Sequence, residues 1–147
     1  MHYMKRDSRL SGVLHVLLHL AEADGPVTSE VMAKMMRTNP VVIRRILGGL
    51  RERGLVTSEK GHGGGWRFAR ELETVTLYDV YSALDSPAIF SLGNRTDSPE
   101  CLIERAVNGA LNESFERAER LLLERFKQVS LAELGQDVHR QREQRST

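Results

Sequence analysis

Apolar residues recur along most of this chain in steps of three and four, the period of helices that bury one face. The first such run, from Arg9 to Ala23, sets Leu10, Val13, Leu14, Leu17, Leu18 and Ala21 on one stripe. Asp7 or Ser8 suits its N-cap, and Asp24-Gly25-Pro26 stops it. A short second helix is expected from Thr28 or Ser29, either of which can cap free first-turn amides, with Val31, Met32, Met35 and Met36 inward and an end near Met36 or Arg37. A fresh start follows at Thr38-Asn39-Pro40. Asn39 is a good N-cap, and Pro40 has no N–H to leave unpaired at the first helical position. The spacing of Ile43, Ile46, Leu47 and Leu50 predicts a third helix to about Arg53, closed by Gly54 in a left-handed conformation ahead of apolar Leu55.

Past that point the period shortens. Leu55 to Ser58 and Trp66 to Ala69 read as two short strands around the turn Gly61-His62-Gly63-Gly64-Gly65. Thr76 is placed to cap a helix to about Leu84, with Leu77, Val80, Tyr81 and Leu84 on its apolar face. Asp85 to Asp97, with Pro87, Gly93 and Asn94, reads as an irregular connector. Ser98 is the expected N-cap of a long helix whose apolar positions run from Leu102 to Val129, roughly 30 residues and about 45 Å. Ser130 to Glu133 has the form of a capping box for a last short helix, and the polar stretch from His139 to Thr147 is expected to fray.

Two helices joined by a turn of about four residues, preceded by a helix and followed by a glycine hairpin, give a mostly α chain with a small β-wing, an α+β winged helix-turn-helix. The expected division is a DNA-binding unit over residues 1–85, a connector over 86–97, and a dimerisation helix with a short C-terminal helix over 98–147. A domain this small cannot cover so long a stripe. The same helix of a second copy is its natural cover, giving a two-fold homodimer whose reading helices lie about 34 Å apart, one DNA turn, or a multiple of it. The alternative is a helix folded back on its own wing domain.

Composition narrows the class. Of 147 residues, 40% are hydrophobic and 28% charged, as in an ordinary globular protein, and only 5% are aromatic, so the core must rest on aliphatic side chains. Without a bilayer-length apolar run or a signal-peptide pattern, a cytoplasmic protein with no membrane partner is expected. One cysteine, Cys101, excludes an intrachain disulfide framework and a zinc site of several thiolates. The net charge of +1 conceals an asymmetry. Residues 1–75 carry twelve Lys and Arg against eight Asp and Glu, and residues 76–147 carry nine against twelve, so the front half better suits a polyanion. No nucleophile elbow or His/Glu metal motif is present, and the glycine run lacks the lysine–hydroxyl pair of a phosphate loop, so no enzyme is expected.

Double-stranded DNA is the expected partner. Arg44 and Arg45, in the first half of the third helix, are placed to reach guanine edges or phosphates, and Thr38, Asn39, Pro40 and Val41 complete the helix start offered to the groove. Arg51 and Arg53 are better placed for the backbone. Gly48 and Gly49 cost roughly 1 kcal/mol each against alanine in a helix, which close packing or close groove contact would offset. In the wing, Lys60, His62, Gly63 and Arg67 suit a narrow, electronegative minor groove. Against this stand a solvated helix face with a plain hairpin, and a winged helix that binds protein rather than DNA.

The segments Thr38-Asn-Pro-Val-Val-Ile-Arg-Arg-Ile-Leu, Leu50-Arg-Glu-Arg-Gly-Leu-Val, Gly61-His-Gly-Gly-Gly-Trp-Arg-Phe-Ala-Arg and Thr76-Leu-Tyr-Asp-Val together resemble the Rrf2 family of winged-helix transcription regulators over essentially the whole chain. The resemblance implies a homodimeric DNA-binding regulator, usually a repressor. Better-known members sense iron–sulfur status or nitric oxide through three cysteines. With Cys101 alone, a cluster on three thiolates of one chain is excluded, and the sequence is closer to the cysteine-poor, YwnA-like branch, whose effectors are not defined. His62 also stands where that family commonly has proline.

Two features bear on sensing. Cys101 lies near the expected start of the long helix, where a thiolate is favoured, and is either a redox switch or an inert small residue. His15 and His19, four apart, share a helix face and could share a metal, yet no carboxylate completes a motif, so neither metal nor cofactor is expected. A mixed site of His15 and Cys101 across a dimer is a further variant.

Overall fold

The structure, a computed structural model, describes residues 7–61, 63–96 and 100–146. The expected N-cap Ser98 and wing residue His62 lie outside these. Helix α1 spans Arg9–Glu22, α2 Ser29–Met36 and α3 Pro40–Glu52. Strands β1 (Val56–Glu59) and β2 (Gly65–Phe68) form an antiparallel hairpin, followed by a 3₁₀ turn at Leu72–Thr74 that the sequence did not suggest. Then come α4 (Leu77–Ala83), an irregular connector, α5 (Leu102–Gln128) and α6 (Leu131–Arg145).

Helix α1 buries Val13, Val16, Leu17 and Leu20, so its inward stripe is rotated from the expected one. Leu18 and Ala21 instead line a groove beside α6. Ser8 is the N-cap residue, one of the two expected, but its hydroxyl makes no capping bond; Asp7, the other, accepts the Arg9 backbone N–H at 3.0 Å. The Arg9 guanidinium, bonded to the same carboxylate, lowers the Asp7 pKa to about 2.

Helix α2 starts where the Thr28 hydroxyl accepts the Val31 N–H; Met32 is buried and Met35 and Met36 pack half-buried on the core as expected, while Ser29 and Ala33 are buried in addition. Val31 is 49% exposed, because three- and four-residue steps on an eight-residue helix fit more than one rotation. The helix ends on Arg37 in the left-handed region (φ 54°, ψ 47°), with no glycine to relieve the strain. Helix α3 follows its expectation closely. Ile43, Leu47 and Leu50 are buried, and it closes in a Schellman motif: Gly54 N–H to Arg51 C=O and Leu55 N–H to Leu50 C=O, both 3.0 Å.

In the wing, Val56 pairs with Phe68 and Glu59 with Gly65. Val27, from the loop before α2, adds a third edge, exchanging backbone bonds of 2.9 and 2.8 Å with Trp66. That contact requires a glycine at position 65, since a Cβ there would lie 2.6 Å from the Val27 carbonyl oxygen.

A reciprocal capping box, Thr76 with Asp79, starts α4. Helix α5 begins at Leu102 with Cys101 as N-cap and spans 27 residues, about 40 Å. Its end is stitched to the winged unit: Leu77 N–H donates to Val129 C=O at 2.9 Å, and Leu131 N–H to Val75 C=O at 2.8 Å. Leu131 therefore joins Leu17, Met32, Leu47, Leu50 and Val80 in one core. Helix α6 runs through the segment expected to fray. Ser130 caps it, and the i,i+3 and i,i+4 pairs Asp137–Arg140 and His139–Glu143 line it. Arg142 also bonds Glu22 of α1 at 2.9 Å, a tertiary partner invisible to local periodicity.

No residue of α5 is fully buried. Phe115 and Phe126 rest against Phe90 of the connector and Tyr81 of α4, with ring centroids 5.5 and 6.1 Å apart. Asn94–Asn112 and Asn108–Thr96 hydrogen bonds tie the connector down. Elsewhere on the helix, Leu102, Ile103 and Leu121 are each 75% exposed, and Val107 is 50% exposed. Among the described residues no helix is long and apolar enough to cross a membrane.

Candidate nucleic-acid interface

Helix α3 is presented by its own start. The Asn39 side-chain oxygen accepts the Val42 N–H at 3.0 Å, Pro40 occupies the first turn, and the Thr38 N–H bonds the Ala33 carbonyl at 2.9 Å, closing α2. With Ile43, Leu47 and Leu50 turned inward, Val41, Arg44 and Arg45 are left exposed. Val41 is 58% exposed, an apolar side chain without an apolar neighbour's cover. Such a residue at the start of a reading helix matches the thymine methyl in a major groove.

The expected cations divide by what already holds them. Arg45 makes no ion pair or hydrogen bond among the described residues, and Arg44 only a 3.7 Å contact with Glu30 in solvent, which is worth little. Arg51, expected at the phosphates, turns back to the wing: it donates to Ser58 Oγ at 3.0 Å, and its guanidinium carbon lies 5.4 Å from the centre of the Trp66 ring. Arg53 sits 3.9 Å from Asp85. Arg67 is bound across the hairpin to Glu59 at 2.7 Å, so the wing's positive charge rests chiefly on Lys60, beside Gly61 and Gly63 of the turn. Arg37, in the strained turn between α2 and α3, and Arg70, just past β2, are exposed and unpaired among the described residues. Sequence reasoning passed over both because it weighed residues on the reading helix and in the glycine turn. A Cβ on Gly48 or Gly49 would meet nothing within 4 Å, so packing inside the protomer does not explain either glycine.

Trp66 joins the parts. It is buried on β2, and its indole N–H donates to the buried Ser29 hydroxyl at 3.0 Å. The Trp66 side chain thus ties the wing to the start of α2 through Ser29 and to the last turn of α3 through Arg51, and its backbone ties the wing to Val27 in the loop before α2. The end of α3 and the base of the wing are thereby joined within the protomer.

The sensing candidates lie at the start of α5 and on α1. The Cys101 thiol is exposed at the N-cap of α5, where the amides of Glu104 and Ile103 favour the thiolate and lower its pKa. His15 and His19 meet on α1 with their Nε2 atoms 3.0 Å apart.

The sequence model of the Rrf2 family, described as iron-dependent transcriptional regulators, matches residues 6–137. The chain belongs to the Rrf2 family. Among similar proteins is YwnA of Bacillus subtilis (strain 168), named as an HTH-type transcriptional regulator, 28% identical over 128 residues that cover 87% of this chain and 95% of YwnA. A solved transcriptional regulator from Lactobacillus plantarum is 28% identical, with a TM-score of 0.74 over 95% of this chain and 99% of that one. The T. potens IscR structure, 22% identical with a TM-score of 0.66 over 92% of this chain and 88% of that one, shares the fold. This Rrf2 protein is a DNA-binding transcriptional regulator built on a winged helix. The iron of the family description does not fit its residues as a thiolate-held cluster. The chain has one cysteine, and among the described residues no three His, Cys, Asp or Glu side chains converge.

Proposed function

We propose that this Rrf2 regulator binds operator DNA as a homodimer in the cytoplasm, without catalytic activity. Each protomer enters a major groove with the first half of α3 and touches the adjoining backbone or minor groove with the wing. The observation that carries the reading is the unit joined at Trp66, which offers Val41 and Arg45 from the helix and Lys60 from the wing. Residues 1–85 form the reading unit, with Leu131 completing its core, and residues 98–147 carry the pairing surface. Pairing is supported by Ile103, Val107 and Leu121, exposed apolar residues on one face of a helix already packed on its own domain through Phe115 and Phe126. Arg44, Arg45 and Arg37 supply phosphate or guanine contacts, whereas Arg51 and Arg67 act by holding the wing. Gly48 and Gly49, with open space around them, let the duplex backbone come close to α3. The family resemblance favours repression.

Genomic fragments recovered with the protein provide the operator for an anisotropy titration. Binding by pairs of protomers, with log Kd rising linearly in log salt, is the expected result. Binding by single protomers, or affinity independent of salt, contradicts it.

A further inference from the structure

We propose that His15 and His19 chelate one divalent transition-metal ion on the face of α1 turned away from its core residues. The two residues are one helical turn apart, and their rings incline toward each other, with centroids 4.7 Å apart and planes at 53°. The Nε2 atoms, the outermost nitrogens of each ring, are the ones that meet, at 3.0 Å. Two imidazole nitrogens each about 2.05 Å from a shared ion stand about 3.0 Å apart when they subtend about 94° at the metal, and about 3.3 Å apart at a tetrahedral angle. The observed spacing, in the metal-free protein that of an N–H···N hydrogen bond, also matches two cis ligands, and a few tenths of an ångström of ring movement gives a tetrahedral pair.

The surroundings permit that movement. His15 is exposed and His19 half-buried, while the core residues Val13, Val16, Leu17 and Leu20 occupy the opposite side of the helix. No third His, Cys, Asp or Glu joins the pair among the described residues, so water completes the coordination sphere. A site with two imidazoles and open water positions takes borderline ions of the copper, nickel and zinc class, with copper(II) held most tightly. It is unlike a thiolate-bound iron cluster in donor set and in place.

Because the nitrogens converge only while residues 15 to 19 are helical, the ion binds the folded protein in preference to the unfolded chain. Metal binding therefore stabilises α1 and with it the core.

The test uses the untagged full-length protein, titrated with copper(II), nickel(II) and zinc(II) against a chromophoric competitor, alongside His15→Ala, His19→Ala and the double variant. One ion per protomer is expected, with copper tightest. Mutating groups beyond the first shell already weakens metal sites by about tenfold or more, so each single variant should lose at least that much, and the double variant little further. The melting temperature should rise with copper in the wild type and not in the variants. His139→Ala, which alters a histidine paired with Glu143 on α6, should behave as wild type. Equal affinity in wild type and His19→Ala, or no metal-dependent rise in melting temperature, would show that the two rings form a hydrogen-bonded pair only and overturn the proposal. Both single variants are expected to keep the wild-type circular dichroism spectrum and metal-free DNA affinity. Loss of DNA binding by the wild type would instead count against the regulator reading and leave the metal result standing.

Discussion

Replacing Ser29 with alanine removes one oxygen at the joint between α2 and the wing. In the folded protein the Ser29 hydroxyl accepts the Trp66 indole N–H at 3.0 Å, and the two residues are only 7% and 8% exposed. Water therefore cannot readily replace the lost acceptor, and a buried N–H without a partner costs about 1–3 kcal/mol. For a chain of this size each kcal/mol lowers the melting temperature by roughly 2–4 °C. Trp66→Phe deletes the donor, so Ser29→Ala in that background should cost far less, leaving a coupling energy of about 1 kcal/mol or more between neighbours that share a bond. Urea unfolding of the wild type, both single variants and the double variant, at one protein concentration, measures the cycle. If Ser29→Ala unfolds at the wild-type midpoint, or costs the same with and without the indole, the bond is not what fastens the wing to α2.

Other consequences can be checked alongside. Arg45→Ala should reduce the slope of log affinity against log salt by about one unit, the effect of one lost phosphate contact, whereas Arg67→Ala, whose charge is shared with Glu59, should change it much less; equal slopes for the two variants would remove the distinction between free and tethered cations. Arg37→Gly should stabilise the fold by up to about 1 kcal/mol, because glycine adopts the left-handed turn without strain, and should weaken DNA binding at low salt; a lower unfolding midpoint would refute the strain. The lowered pKa of Cys101 leaves more thiolate at neutral pH in the folded state than in the unfolded chain, so alkylation by iodoacetamide at pH 7 should slow on unfolding in urea. Faster alkylation in urea would contradict that environment.

The sequence revealed most where local chemistry decides structure. Asn39-Pro40 and Gly54-Leu55 mark the ends of α3 because an N-cap, a proline and a left-handed glycine act within a few residues of themselves. Thr76 and Asp79 mark α4 for the same reason. Rotation of the short helices was less legible. Val31 and Leu18 satisfy the apolar spacing, yet Trp66 pulls Ser29 inward, and α6 flanks α1. Both causes are distant in sequence. The long course of α6 was hidden likewise, since its tie to Glu22 crosses 120 positions. At the interface the charged residues could be read, but not their pairing. Nothing local distinguishes Arg51, stacked on Trp66, or Arg67, bound to Glu59, from the unpaired Arg45.

The account depends on two copies of the chain, joined through α5, presenting α3 and the wing to one duplex. Light scattering of the purified protein with a recovered operator fragment, in low and then in higher salt, measures this directly. The expected mass in low salt is that of two protomers on one duplex, separating in higher salt into free DNA and a protein dimer. A protein that remains a single protomer and leaves the duplex unbound in low salt would contradict the account.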